Sequence, residues 1–408
     1  AQQRAWEATV TPEQRARLPG PVQVAFDMQF DKRDAANKKT IEDHFRQLEV
    51  ARQALPLLAQ IFELREVEPK IPTTMILRER SEPRETFVHK RGDFLDPGLK
   101  VVGDVPAVLP RMAKTDEQAS RLDFARWLVA ADNPLTPRVV MNRDWQKFFG
   151  RGLVETEDDF GTQGTPPTHP ELLDWLALEF RRDWNTKRLH RRIATSSTYR
   201  QSSRVRTDLA AADPQNKLLA RQSRLRLDAE IVRDVALAAS GQLARRLGGP
   251  SVFPPQPEGV FDFTQDPKPW QATTGGDRYR RGMYTHFWRS SPYPMLLAFD
   301  APSGNVTCTR RLRSNTPLQS LTLANDQAFF ECAQAMAERV FGEAPATSAG
   351  RARRAFRLCL AREPTAAEEE QLASLAAAEL SASPDQPGAA WTRVCRVLLN
   401  LDETITRE

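Results

Sequence analysis

The sequence predicts a mainly α-helical protein: a helical domain with long irregular aromatic- and proline-rich loops, plus a small β-containing N-terminal segment. Three observations predict it. Apolar residues recur at spacings of three, four and seven over most of the chain, the period of a helix that buries one face. Thr-x-x-Glu and Thr-Pro-x-Gln sequences stand where such stripes begin, as helix starts require. Residues 67–110 and 250–300 break the period with clustered Pro and Gly, the first stretch carrying short β-prone runs.

Composition sets the frame. A chain of 408 residues has room for two or three domains with real cores. With 27% charged residues, 40% hydrophobic residues and a mean hydropathy of −0.53, it is no disordered tail, collagen-like fibre or membrane-embedded protein. No apolar run approaches the ~20 residues that span a bilayer. Basic residues number 58 against 53 acidic ones, for a net charge of +5, and 47 of the 58 are arginine. Arginine's planar fork suits carboxylate, phosphate or sulfate, and it also stacks on aromatic rings. Acids interleave with the arginines, as in Arg224, Arg226, Asp228, Glu230, Arg233 and Asp234. That pattern argues against a nucleic-acid groove, which gathers its charge on one face.

Each element follows in order. Residues 1–33 hold Pro12, Pro19 and Pro21 and read as irregular at the start. Over 35–66 the period is helical, through Ile41, Phe45, Leu48, Leu55, Leu58 and Phe62, with a break at Pro56. Residues 67–115 read as an extended or β connector, with β-prone pieces at 73–77, 86–89 and 100–102. The helical domain covers 116–408, after an N-terminal helical segment at 1–66. Leu122, Ala125, Leu128 and Val129 mark an apolar stripe ended by Asn133-Pro134, and a second helix covers 137–149 and stops at Gly150. Thr168-His169-Pro170-Glu171 is a capping box with Pro in the first turn. It opens a helix whose Leu172, Trp175, Leu176 and Phe180 face one side. Helices continue at 186–200 and 223–247, the latter ending at Gly248-Gly249. Residues 250–300, from Pro254 through Trp270 to Tyr293, form a loop whose aromatic content argues against disorder. Thr316-Pro317-Leu318-Gln319 opens a long helix to about Phe341, and Thr365-Ala366-Ala367-Glu368 opens a terminal helical hairpin. No internal repeat is present.

The cysteines are Cys308, Cys332, Cys359 and Cys395. None forms C-x-x-C or C-x-x-C-H, so zinc-ribbon, dithiol-redox and covalent-haem readings have no support. Cys332, Cys359 and Cys395 sit among apolar helical residues and read as core thiols. Cys308 lies beside Arg310 and Arg311, which favour a thiolate, although a buried inert thiol is the plainer expectation.

An ordered set of motifs carries a family resemblance. They are Asn142-Arg143-Asp144-Trp145, Phe149-Gly150-Arg151-Gly152, Asp158-Asp159-Phe160-Gly161, Thr168-His169-Pro170-Glu171 and Ser196-Ser197-Thr198-Tyr199-Arg200. Arg226-Leu227-Asp228-Ala229-Glu230, Tyr279-Arg280-Arg281, Phe299-Asp300-Ala301-Pro302 and Asn315-Thr316-Pro317-Leu318-Gln319 follow. Together they resemble the planctomycete-type domain of unknown function 1553, over about 118–402. Ile71-Pro72-Thr73-Thr74-Met75 and Arg84-Glu85-Thr86-Phe87 resemble the tail of domain of unknown function 1549. The resemblance implies an exported, extracytoplasmic protein, often headed by a cytochrome-c-like domain. Haem is then expected only on an upstream domain or a partner, with no cofactor in this chain. The start at Ala1-Gln2-Gln3-Arg4 fits a removed signal or a C-terminal piece of a longer protein. The family is abundant in bacteria that degrade sulfated polysaccharides, which is association and not mechanism.

Two groups of residues are candidates for chemistry. His169 stands in a first helical turn, where the helix dipole favours a neutral imidazole able to act as a base. Asp159 and Glu171, with Asp158, are the acids near it, so the expected catalytic set is His169, Asp159 and Glu171. Asp300 and Glu230 are more distant partners for a carboxylate pair. No histidine spacing builds a metal site. The expected ligand-binding set is Tyr279, Arg280, Arg281, Trp288 and Arg289, where arginine and aromatic rings alternate, with Arg310, Arg311 and Asn315 ahead of a helix start. An internal partner such as Asp300 is the commoner role for those last arginines. Arg226, Glu230, Arg233 and Asp234 read as a structural ion network joining that helix to its neighbours, with a ligand clamp as the alternative.

The leading expectation is an exported module that binds or helps process a complex polysaccharide, sulfated or not, in association with a cytochrome-c-like domain or partner. The alternatives are a scaffolding subunit of a cell-envelope complex and a hydrolase or oxidoreductase built on His169.

Overall fold

The computed structural model describes residues 2–67, 71, 73–82, 84–116, 119–209, 211–260 and 269–407. It is mainly helical, in two compact units, Ala1–Phe87 and Val88–Glu408.

The first unit contains α1 (Gln2–Thr9), α2 (Pro12–Arg15), α3 (Gly20–Asp27), α4 (Ala35–Gln47), α5 (Glu49–Ala54) and α6 (Pro56–Glu66). The stretch expected to be irregular is therefore helical. Pro12 and Pro21 stand in the first turns of α2 and α3, where a missing N–H breaks no helical bond. Val22, Ala25, Phe26 and Ile41 form a small core, with Trp6 edge-on to Phe26 at 5.5 Å. Arg33 and Glu7 pair beside it at 2.7 Å. A two-stranded sheet of β1 (Thr86–His89) and β2 (Pro97–Val101) follows, whereas 73–77 forms no strand among its described residues.

The second unit has two cores. The first packs α8 (Thr136–Phe149), α9 (Pro170–Arg181) and α10 (Thr186–Thr195) through Met141, Trp145, Phe149, Leu173, Leu176, Phe180, Leu189 and Ile193. Gly150 ends α8 in the left-handed conformation at φ 81°, as expected of a glycine C-cap. Before these lies α7 (Arg121–Leu128), and after them α11 (Ser197–Arg200). The larger core joins α12 (Ala229–Ser240), α13 (Pro294–Ala298), α14 (Pro317–Asn325), α15 (Gln327–Glu343), α16 (Ser348–Leu360), α17 (Ala366–Ala382) and α18 (Pro387–Leu399). On α15 the buried residues include Phe329, Cys332, Ala333, Met336, Ala337 and Val340, and on α18 they include Trp391, Val394, Cys395 and Leu398. These i, i+3, i+4, i+7 stripes face one another, and the alanines let the helices approach closely. Strand β3 (Leu225–Arg226) pairs antiparallel with β4 (Thr406–Arg407), tying the chain end to the segment before α12. Among the described residues no helix is long and apolar enough to cross a membrane.

Several local expectations change for identifiable reasons. On α7 the buried residues are Asp123 and Trp127, while Leu122 and Val129 are exposed. The Trp127 indole donates to the Pro110 carbonyl at 2.7 Å, and Asp123 accepts from Thr115 and Ser120, so polar bonds choose the inward face. The capping box at Thr168 is absent because the Thr168 N–H and hydroxyl both donate to the Leu153 carbonyl. His169 is the N-cap there and makes no side-chain cap. The helix expected at 223–247 spans only Ala229–Ser240, since β3 takes up Leu225 and Arg226. The long helix after Thr316 is cut at Asp326, whose side chain instead caps α15 through the Ala328 N–H at 2.8 Å. Part of the 250–300 loop, residues 261–268, lies outside the described residues.

Candidate functional site

A cavity of about 430 Å³ opens in the second unit. Three segments far apart in sequence build it. On α8, Arg143, Gln146 and Lys147 follow at i, i+3 and i+4 and so share a face. Asp228, the N-cap residue of α12, supplies a second wall, and Pro302 with residues 308–311 and Arg313 supplies the third.

The loop carrying that third wall is held at its base. Asp300, with φ at 60°, accepts from the Ser314 N–H at 2.8 Å and its hydroxyl at 2.7 Å. Asp tolerates this left-handed conformation better than most residues. Gln319 closes the same corner by donating to the Ser314 oxygens. Asp300 is thus a loop clamp and does not pair with Arg310 or Arg311.

Charge dominates the lining: Arg143, Lys147, Arg310, Arg311 and Arg313 face a single carboxylate, Asp228. These cations are satisfied to different degrees. Arg311 is bidentate to Glu230 at 2.6 and 3.1 Å, and Arg313 reaches Asp228 at 3.5 Å. Lys147 pairs with Asp144 at 3.3 Å. Arg310 has only a long contact to the buried Glu157, 3.7 Å through Nε. Arg143 is exposed and makes no hydrogen bond or ion pair among the described residues. Gln146 is only 8% exposed, and its side-chain amide has no partner among them either. The site therefore offers free guanidinium N–H groups and an unpartnered amide at the cavity wall, an arrangement that takes up an anion.

Burial by itself pushes the Glu230 carboxyl up, but the Arg311 hydrogen bonds, a backbone N–H and the Arg311 charge together outweigh this and hold it below its ordinary value. The same pairing keeps Arg311 more firmly charged. Cys308, expected as a buried thiol, is exposed at this cavity, its Sγ–H donating to the Arg310 carbonyl at 3.3 Å.

The expected catalytic set is placed differently. His169 Nδ1 lies 2.9 Å from the Thr168 hydroxyl, Asp159 accepts from the Gly161 N–H at 2.7 Å as a turn does, and Glu171 is exposed. Among the described residues no hydrogen bond joins these three side chains, and no cluster of three or more His, Cys, Asp or Glu is arranged to hold a metal ion. Of the acids in that part of the chain, Glu157 reaches the arginine loop, accepting from the Thr309 hydroxyl at 3.3 Å.

The expected ligand-binding set divides. Arg310 and Arg311 line the cavity; Asn315 is exposed and does not. Arg280 is fully buried, donating to the carbonyls of Pro250 and Gly248 and stacking on Tyr284 at 3.7 Å. It fixes the long loop from within and presents nothing to a ligand. Tyr279 packs against the larger core, and Trp288 stands edge-on to His286 at 4.5 Å. Arg281 is half-buried and Arg289 exposed, neither at the cavity. The polar side chains around α12 do tie that helix to its neighbours: Glu230 pairs with Arg311, Arg226 with Asp402 at 2.8 Å, Arg233 donates to the Arg278 carbonyl at 2.8 Å, and Asp234 accepts from the Gly282 N–H at 2.6 Å. Missed from sequence were Arg143, Gln146 and Lys147 as one group. Their helical spacing opposite the apolar Met141, Trp145 and Phe149 was the available signal.

Fold and site together define a mainly helical protein with a cation-lined cavity. Residues 120–376 match the family described as PSD1, protein of unknown function (DUF1553), and the chain belongs to that family. No curated protein and no solved structure matches it. Every residue lining the cavity falls inside the matched range.

Proposed function

We propose that this chain is a binding module for an anionic polysaccharide, taking a sulfate or carboxylate substituent into the basic cavity. One observation carries the reading: Arg143, Arg310 and the Gln146 amide converge on about 430 Å³ with hydrogen-bond donors left over from internal pairing. Sulfate and carboxylate accept paired N–H groups from arginine, and the volume falls within the range of about 300–1,000 Å³ typical of ligand sites. The wider expectation, a module acting outside the cytoplasm beside a c-type cytochrome on another domain or partner, belongs to this proposal.

The test is affinity electrophoresis of the chain through neutral and sulfated polysaccharides at low and high salt. Retardation by a sulfated polymer that persists at high salt, and that Arg143→Ala with Arg310→Ala removes, is the expected result. Absence of retardation, or equal and salt-abolished retardation by every polyanion, overturns the reading.

A second reading rests on an apolar groove of about 480 Å³ lined in part by Phe356, Leu372, Leu375, Val397 and Leu401. Such a groove suits a scaffolding subunit, and a partner captured by wild type but not by Val397→Asp is its test.

A further inference from the structure

We propose that Cys308 is a thiol-exchange site selective for small disulfides that carry carboxylates. The inference rests on the cavity's preference for anions, and so shares that part of the polysaccharide reading, but it requires no polymer.

Position argues for it first. Cys308 is the exposed cysteine, whereas Cys332 and Cys395 are buried in the larger core. Burial pushes the Cys332 thiol up to about 11 and the Cys395 thiol up to about 12, and pushes Cys359 up as well. Those three are poor nucleophiles near neutrality, because the thiolate is the attacking species.

Charge argues for it second. Cys308 lines the same cavity as Arg143, Arg310 and Arg311, and Arg143 has no anionic partner among the described residues. A carboxylate on an incoming disulfide meets these guanidinium groups and the unpartnered amide of Gln146, which is 8% exposed. Cations around a reactive atom raise the local concentration and encounter rate of an anionic reagent, by roughly 10- to 1,000-fold at low salt.

The chemistry balances without a further oxidant. Cys308 loses its proton to solvent, and its thiolate attacks one sulfur of the disulfide. The new S–S bond forms as the old one breaks, and the second sulfur leaves as a thiolate with the electron pair. Cys308 is oxidised and the departing half reduced. The product is a mixed disulfide whose carboxylate stays among the arginines, so exchange also lowers the cavity's positive charge.

The experiment uses the whole chain and two probe disulfides, dianionic dithiobis(nitrobenzoate) and neutral dithiodipyridine, followed by release of the coloured thiol. One thiol per chain is expected in a fast phase that Cys308→Ser removes. The anionic-to-neutral rate ratio is expected to exceed that of a cysteine-containing model peptide by at least about tenfold at low salt. Arg143→Ala with Arg310→Ala should bring the anionic-to-neutral ratio back to the peptide's value. A fast phase that survives Cys308→Ser, or a ratio equal to the peptide's, overturns the proposal. So does a ratio insensitive to the arginine substitutions. If the ratio behaves as expected while no polysaccharide binds, only the polymer reading fails. Binding of a sulfated polymer with a peptide-like ratio refutes thiol selectivity alone.

Discussion

Arg311 and Glu230, 81 residues apart in sequence, form a bidentate pair at 2.6 and 3.1 Å. The pair fastens the arginine loop to the first turn of α12, where a carboxylate also complements the helix dipole. It decides which arginines of the loop face inward to the protein and which remain for the cavity.

Glu230→Gln tests that fastening. At neutral pH it should cost about 1–2 kcal/mol, allowing for solvent screening of a pair whose side chains are 23% and 34% exposed. The Glu230 carboxyl titrates below its ordinary value of 4.5 in the folded chain. Its contribution is therefore complete above that value and disappears as pH falls through the lowered one. Urea unfolding midpoints of wild type and variant should differ at neutral pH and converge in acid; a gap independent of pH would contradict the assignment.

Two threonines that look alike in sequence should behave differently. Thr365 forms a complete capping box with Glu368, whose carboxyl, bonded mainly by Arg362 and also by Thr365, is held down to about 2. Thr316 makes no side-chain cap. Thr365→Ala should cost about 1 kcal/mol and Thr316→Ala close to nothing, read from thermal melts.

Gly282 lies against the backbone of α12, where an added Cβ would sit 2.4 Å from the Glu230 carbonyl oxygen. Gly276 has open space around the same position. Gly282→Ala should destabilise by about 1–3 kcal/mol, since backbone must move to admit it, while Gly276→Ala should be nearly silent. Equal melting temperatures for the two variants would refute that close approach.

Trp391 is fully buried and Trp175 is 45% exposed. Trp391→Ala should cost about 3–5 kcal/mol in denaturant unfolding, whereas Trp175→Ala should stay below about 1 kcal/mol. The sequence pattern had placed Trp175 on the inward face of α9. That face is held by Leu173, Leu176, Ala177 and Phe180, one step around the helix.

Local signals written in a few adjacent residues were readable because their physics is local. The Thr365 capping box, the Gly150 C-cap, the core stripes later seen on α15 and α18 and the family motifs all belong to this class. The sequence alone thus determined a mainly helical chain, its family resemblance and an arginine excess suited to anions. Tertiary structure decided which arginines are free. Arg280 and Arg310 are equally charged in sequence, yet one is sealed among backbone carbonyls and the other faces a cavity. Likewise, Glu157 and not Asp159 meets the arginine loop, and Cys308 and not a core cysteine meets solvent. A long-range partner fixes a charged side chain's role through desolvation and Coulomb terms that depend on distance in space. Distance along the chain carries no record of them.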